Sequence, residues 1–204
     1  MIDFVATFIF FFAVIDPIGT VPVFLAVTSR FDGGQKRAIA FKSILASAAI
    51  LVFFVIVGEL ILNGIGIPLP AFEIAGGIVL FLFALTMIFG ESKPEEEVKM
   101  VSKAEDTAIY PLAVPSIAGP GAMLAAVLQT DNSRYNFFEQ IQTTLVMLVV
   151  LGIVLVLMLA ASRIHDLIGT SGASVISRVM GLILASVAVY SVLSGFVEFF
   201  GIAV

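Results

Sequence analysis

Residues 4–28 read FVATFIFFFAVIDPIGTVPVFLAVT. The stretch is as long as a membrane crossing requires, about 20 apolar residues for a hydrocarbon core of roughly 30 Å. Yet it carries Asp16, Pro17, Ile18 and Gly19 near its middle. At a rise of about 1.5 Å per residue, the step from Phe4 to Asp16 covers roughly 18 Å, which reaches the centre of a bilayer. Pro17 has no N–H to donate and Gly19 weakens helical continuity, so the helix is expected to break there, with Pro22 following. Lipid cannot satisfy the released backbone groups, and such a break must face protein or a water-filled cavity. A second stretch, TAIYPLAVPSIAGPGAMLAAVLQ at residues 107–129, repeats the device with Pro111, Pro115 and Gly119-Pro120-Gly121. Gly119 is again about a dozen residues in from its span's start, so the two breaks are placed at similar depth and able to face each other.

The rest of the chain fits a membrane setting. Of its 204 residues 60% are hydrophobic and 12% charged, against about 45–50% and 25% in soluble domains; a soluble single domain is excluded. The formal charge of −5 leaves no basic excess for phosphates, and nucleic acid is not an expected partner. Without cysteine and with one histidine, there is no basis for disulfides, thiolate metal sites or a Cys nucleophile. No cofactor is expected beyond a coupling ion. Six apolar spans are predicted, at 4–28, 37–62, 70–89, 107–129, 141–162 and 175–199; the first outruns a signal-peptide core and is read as retained. The fold class is thus an all-α integral membrane protein with six transmembrane helices, the first and fourth broken near mid-membrane.

Nine of the ten basic residues fall on one side of these spans: Arg30, Lys36, Arg37, Lys42, Lys93, Lys99, Lys103, Arg163 and Arg178, with only Arg134 opposite. The positive-inside rule then puts both termini outside a cell membrane and the nine basic residues in the cytoplasm. The polar connection at 91–106 is read as a solvated cytoplasmic linker, in which Val98, Val101 and Ala104 would suit a short interfacial helix.

Two internal matches divide the chain. GTVPVFLAVT at 19–28 lies over GAMLAAVLQT at 121–130, and GIVLFLFAL at 77–85 lies over GLILASVAV at 181–189, with offsets of 102 and 104. Both offsets are about half the chain. Three spans per half is an odd number, so the second copy enters the membrane from the opposite side, giving two inverted three-helix repeats at 1–90 and 107–204 around the linker. Inverted repeats with discontinuous helices are the architecture of many secondary transporters.

Asp16 is the sharpest candidate residue, since an acid near mid-bilayer costs about 2.5–3.5 kcal/mol on insertion scales and marks a functional position by default. It also suits an N-cap for the half-helix starting at Pro17. The half-helix N-termini offer N–H groups to a carboxylate and the unwound carbonyls suit a cation; a small zwitterion presents both. The predicted substrate-binding set is Asp16, Pro17, Gly19, Thr20, Ser116, Gly119, Pro120 and Gly121. Glu59 and Glu73 flank the short external connection at 63–69; each reads as a wetted interfacial carboxylate or as one of a pair sharing an outer vestibule in which one relays a proton, and mid-membrane Asp16 is a further proton-relay candidate. His165 reads as a loop residue rather than a catalyst, and Ala75-Gly76-Gly77 and Gly181 as small faces for close helix packing. No Ser–His or paired-Asp arrangement on facing spans points to an enzyme.

With DPIGTVPVFLAVT at 16–28, IAGGIVLFLFAL at 74–85, PLAVPSIAGPGAM at 111–123 and RVMGLILASVAV at 178–189, the chain resembles the MarC family of bacterial and archaeal membrane proteins, which includes the SnatA-type neutral amino-acid transporters. The resemblance implies transport of small neutral amino acids such as glycine and alanine, coupled to H⁺ or Na⁺, by alternating access. It carries binding roles onto Asp16, Pro17, Gly19, Gly119, Pro120 and Gly121. The chain departs from the pattern at Thr20, where Asn is usual, so that a hydroxyl replaces an amide, and at Leu124 and Ala125, where hydroxyl residues are common; the second departure weighs toward a proton over sodium. The alternative is a channel or exporter for another small solute or ion. A homo-oligomer is compatible with either.

Overall fold

The structure, a computed structural model, describes residues 2–89 and 107–202, without the side chains of 165–168, 170 and 173. The linker at 91–106, with the short interfacial helix expected in it, and the His165 side chain lie outside the described residues. Every regular element among them is helical: α1 (Phe4–Ile15), α2 (Pro17–Val27), α3 (Gly33–Gly64), α4 (Leu69–Phe89), α5 (Ala108–Ile117), α6 (Pro120–Leu128), α7 (Phe137–Leu159) and α8 (Ala161–Phe200). Five stretches are long and apolar enough to cross a membrane, and α5 with α6 makes a sixth span bent by 56°. The all-α membrane class expected from the sequence is what the chain adopts.

The helix starts follow local chemistry. Asp3 accepts the N–H groups of Val5 and Ala6, both at 3.0 Å, and so opens α1. Asp32 with Gln35 and Asn136 with Glu139 each form a capping box, at the starts of α3 and α7, satisfying two orphan donors reciprocally. The ends of α2 and α6 are tied alike: Thr28 Oγ1 donates to the Phe24 carbonyl at 2.5 Å and Thr130 Oγ1 to the Ala126 carbonyl at 2.6 Å. Between spans five and six the connection is helical, starting at Ala161 and turning at Gly169, whose φ of 66° suits glycine.

The spans differ in how they face the surroundings. In 4–27, 67% of the apolar window is buried, against 17% for α3 and 33% for α7. The broken first span is therefore interior, wrapped by others that present Phe41, Leu45, Phe53, Ile56 and Leu60 outward. α3 packs on α5 and α6, α7 packs on α1 and α2, and α4 packs on α8 in the most extensive pairing of the bundle.

α4 and α8 run antiparallel at backbone contact. A Cβ placed on Gly77 would sit 2.9 Å from the Ala188 carbonyl and 2.7 Å from Val192 Cγ2; one on Gly181 would sit 3.2 Å from the Ala84 carbonyl; one on Gly195 would sit 2.8 Å from the Pro70 carbonyl. Small residues permit this approach, which in lipid supplies packing where no hydrophobic drive between helices exists. Gly77→Val is expected to destabilise by about 1–3 kcal/mol through overpacking, read as a lowered Tm in detergent. Gly152 has nothing within 4 Å of its would-be Cβ, so Gly152→Ala should leave Tm unchanged or raised.

Candidate functional site: two helix breaks and an outer ionic cluster

At the first break, Asp16 takes φ 50° and ψ 67°, a left-handed conformation that Asp tolerates better than most residues. Its N–H donates to the Phe12 carbonyl at 3.1 Å and closes α1. Its carboxylate Oδ1 accepts the Gly19 N–H at 3.0 Å and opens α2. Its carbonyl accepts Thr20 twice, from the N–H at 3.2 Å and from Oγ1 at 3.0 Å. One residue thus ends one helix and starts the next. The acid caps the α2 N-terminus, the N-cap role expected for Asp16 beside its binding role, and the Thr20 hydroxyl hydrogen goes to a backbone carbonyl, so neither group is bare. Asp16, at 1% exposure, and Pro17, Gly19 and Thr20 are all buried. A Cβ on Gly19 would run into Asp16 Oδ2, so glycine is what leaves the carboxylate its room.

The second break is built differently. α5 is wide-turned, with Ala118 N–H reaching the Ala113 carbonyl five residues back at 2.8 Å, and Tyr110 and Val114, each preceding a proline, are extended, as a residue before proline prefers. Gly119 then starts α6 with no side chain to cap it. Its own Cβ would fall 2.6 Å from the Pro115 carbonyl. Ser116 is buried, Gly119 and Gly121 are half-buried, and Pro120 is exposed. Of the predicted lining residues, Pro120 alone has its ring outside the packed interior.

The breaks adjoin. A Cβ on Gly121 would lie 3.2 Å from Val14 Cγ1 and 2.6 Å from Leu80 Cδ2. Val14 stands two residues before Asp16 and Gly121 two residues after Gly119, so the end of α1 and the start of α6 meet in the interior beside α4. An intramembrane acid, an irregular backbone and an uncapped helix start come together there, the combination in which carboxylate and ammonium groups find complementary partners.

A separate cluster occupies the end of the bundle where α6 turns into α7. Arg134 reaches Glu73 on α4 at 3.2 Å and Asp131 at 3.3 Å, and also pairs with Glu198 on α8. Burial alone would lower the guanidinium's pKa, but the hydrogen bond to Glu198 and the charges of Glu73, Glu198 and Asp131 outweigh it and push it up. Glu59 accepts from the Asn132 N–H at 2.9 Å and its Nδ2 at 2.6 Å, and Asn132 Oδ1 accepts from Gln140 Nε2 at 2.9 Å. Glu59 and Glu73 therefore both bind the 131–134 turn, one through an amide and one through a guanidinium. Sequence reasoning singled out the two glutamates but not Asp131, Asn132, Arg134 and Glu198 as their partners. The signal was present, since the sequence pattern alone sets Arg134 apart from the nine other basic residues. Arg134→Met strands the buried Glu73 and Asp131 without a counter-charge; because Arg134 is itself 36% exposed, the expected loss is about 1–3 kcal/mol. Adding Glu73→Gln should recover part of it in a double-mutant cycle.

These features define an integral membrane protein of the discontinuous-helix class, with its first break buried in the bundle and its second break half-buried beside it. The pattern of the MarC family of integral membrane proteins matches residues 1–200, and the chain belongs to that family. It is 34% identical over 195 residues to a UPF0056 membrane protein of Methanocaldococcus jannaschii, covering 94% of this chain and 95% of the relative. It is 32% identical to one of Pyrococcus abyssi, covering 98% and 96%, and 33% identical to YvbG of Bacillus subtilis, covering 91% and 90%. No solved structure matches.

Proposed function

We propose that the protein is a secondary transporter of small neutral amino acids, glycine and alanine foremost, coupled to H⁺ or Na⁺ and working by alternating access around the paired breaks. The observation that carries this reading is the meeting of the Asp16 break with the Gly119–Gly121 break in the interior. An ammonium group would be held near Asp16 and a carboxylate at the α6 start, with Gly19, Thr20 and Ser116 close by and little room for a larger side chain. Membership of the MarC family is consistent with it.

Several matched devices support two inverted repeats. The capping boxes at Asp32 and Asn136 and the Thr28 and Thr130 helix-end bonds recur half a chain apart. Gly77 lies on the Ala188 carbonyl as Gly181 lies on the Ala84 carbonyl. The basic residues favour termini outside a cell membrane. The test is uptake of labelled glycine and alanine into proteoliposomes under imposed pH or sodium gradients. Saturable, gradient-driven uptake with alanine counterflow is the expected result. Flux without counterflow would identify a channel instead, and no competition among amino acids would remove the substrate class.

A further inference from the structure

Far from Arg134, at the other end of α7, a groove of about 510 Å³ is lined by Arg37, Val156, Leu159, Ala160, Ser162 and Arg163. It lies between the second turn of α3 and the junction of α7 with α8. Neither guanidinium meets a carboxylate among the described residues. Helical hydrogen bonding continues through the junction, with Ala160 N–H on the Val156 carbonyl at 3.0 Å and Ile164 N–H on the Ala160 carbonyl at 3.1 Å. Val156, Leu159 or Ala160, and Arg163 therefore share one stripe of the helix surface. Val156 and Leu159 are 63% and 46% exposed. The stripe runs from apolar surface, for about 10 Å along the helix, up to a pair of cations and the Ser162 hydroxyl.

We propose that this groove binds the phosphodiester headgroup of an anionic phospholipid, with an acyl chain lying along Val156 and Leu159. Arg37 and Arg163 supply charge-assisted hydrogen bonds to the phosphate oxygens, which the fork of a guanidinium fits. Ser162 adds a hydroxyl donor. The apolar strip selects a lipid over a water-soluble anion, which would leave it uncovered. A choline or ethanolamine headgroup brings its own cation beside two others and is disfavoured, so a headgroup with net negative charge is preferred. The groove sits at the end of the bundle where the basic residues gather, which the positive-inside rule places against the anionic cytoplasmic leaflet.

The test uses the full chain in neutral detergent, equilibrated with mixed micelles of phosphatidylglycerol or phosphatidylcholine, with retained lipid counted by native mass spectrometry. Phosphatidylglycerol should be retained over phosphatidylcholine by about tenfold. The double variant Arg37→Gln with Arg163→Gln should lose that preference, whereas Lys36→Gln, a basic residue outside the groove, should keep it. Should the glutamine pair misfold, the pair Arg37→Lys with Arg163→Lys retains the charge and is expected to retain the preference, though with weaker retention. Equal retention of the two lipids by the unaltered protein, or an undiminished preference in the glutamine pair, would overturn the proposal. So would complete displacement of phosphatidylglycerol by millimolar inorganic phosphate, which would make the groove a site for a free anion.

Discussion

Asp16→Asn is expected to abolish amino-acid uptake, by about a hundredfold or more, while the purified protein keeps its helix content and a Tm within a few degrees of the unaltered chain. The asparagine side chain retains an oxygen where Oδ1 accepts the Gly19 N–H, and asparagine also tolerates the left-handed backbone found at this position. Cap and conformation survive; only the charge goes. Asp16→Ala removes the cap as well, at about 0.5–2 kcal/mol, and should lose both stability and uptake. The pair of variants separates the two roles open to this residue. If the carboxylate serves only to start α2, Asn will transport normally and Ala will be merely unstable. Flux measured beside thermal melting distinguishes these cases.

Gly121→Val should have the second large effect. A Cβ at this position already falls 2.6 Å from Leu80 Cδ2 and 3.2 Å from Val14 Cγ1, and valine adds two methyl groups where α1, α4 and α6 converge. Leu80 is fully buried and Val14 nearly so, so neither can swing into open space. The end of α1 must then retreat from the start of α6, and overpacking of this kind costs about 1–3 kcal/mol. Uptake should fall by at least tenfold, since a separation of about 1 Å between binding groups is enough to lose much of the binding energy they share. Gly121→Ala should show a smaller loss in the same direction. A Gly121→Val protein with unaltered uptake would place the transport route elsewhere in the bundle.

The fold was largely legible because a membrane reduces the vocabulary of structure: spans had to be helical, and prolines and glycines marked where two of them broke. Asp16-Pro17 announced both the end of α1 and the start of α2, and the bond that the Gly19 N–H donates to Asp16 Oδ1 is the one an Asp-Pro N-cap predicts. The difference between the breaks was less legible. Both stretches carry proline and glycine, but only the second brings three prolines within ten residues, and it alone bends by 56°. Asp16 passes the chain from α1 to α2 within a single residue, so 4–27 stays one span.

The outer cluster was hidden for a different reason. Glu73, Asp131, Arg134 and Glu198 come from three separate parts of the chain, and no local spacing links them; only tertiary packing does. The reciprocal capping boxes could have been found, since Asp32-x-x-Gln35 and Asn136-x-x-Glu139 stand 104 residues apart, the offset already given by Gly77 and Gly181.

The glycine seam between α4 and α8 limits how the bundle can change shape. Where a carbonyl and the side chains of the facing helix both close on a glycine, as at Gly77, Gly181 and Gly195, sliding would drive the bulk of one helix over the backbone of the other. On the transport proposal, the third and sixth spans would act as a fixed keel. Rocking that opened the interior first to one face of the membrane and then to the other would then fall to the four half-length pieces α1, α2, α5 and α6, with Asp16 and Gly119 as the hinges that proposal requires.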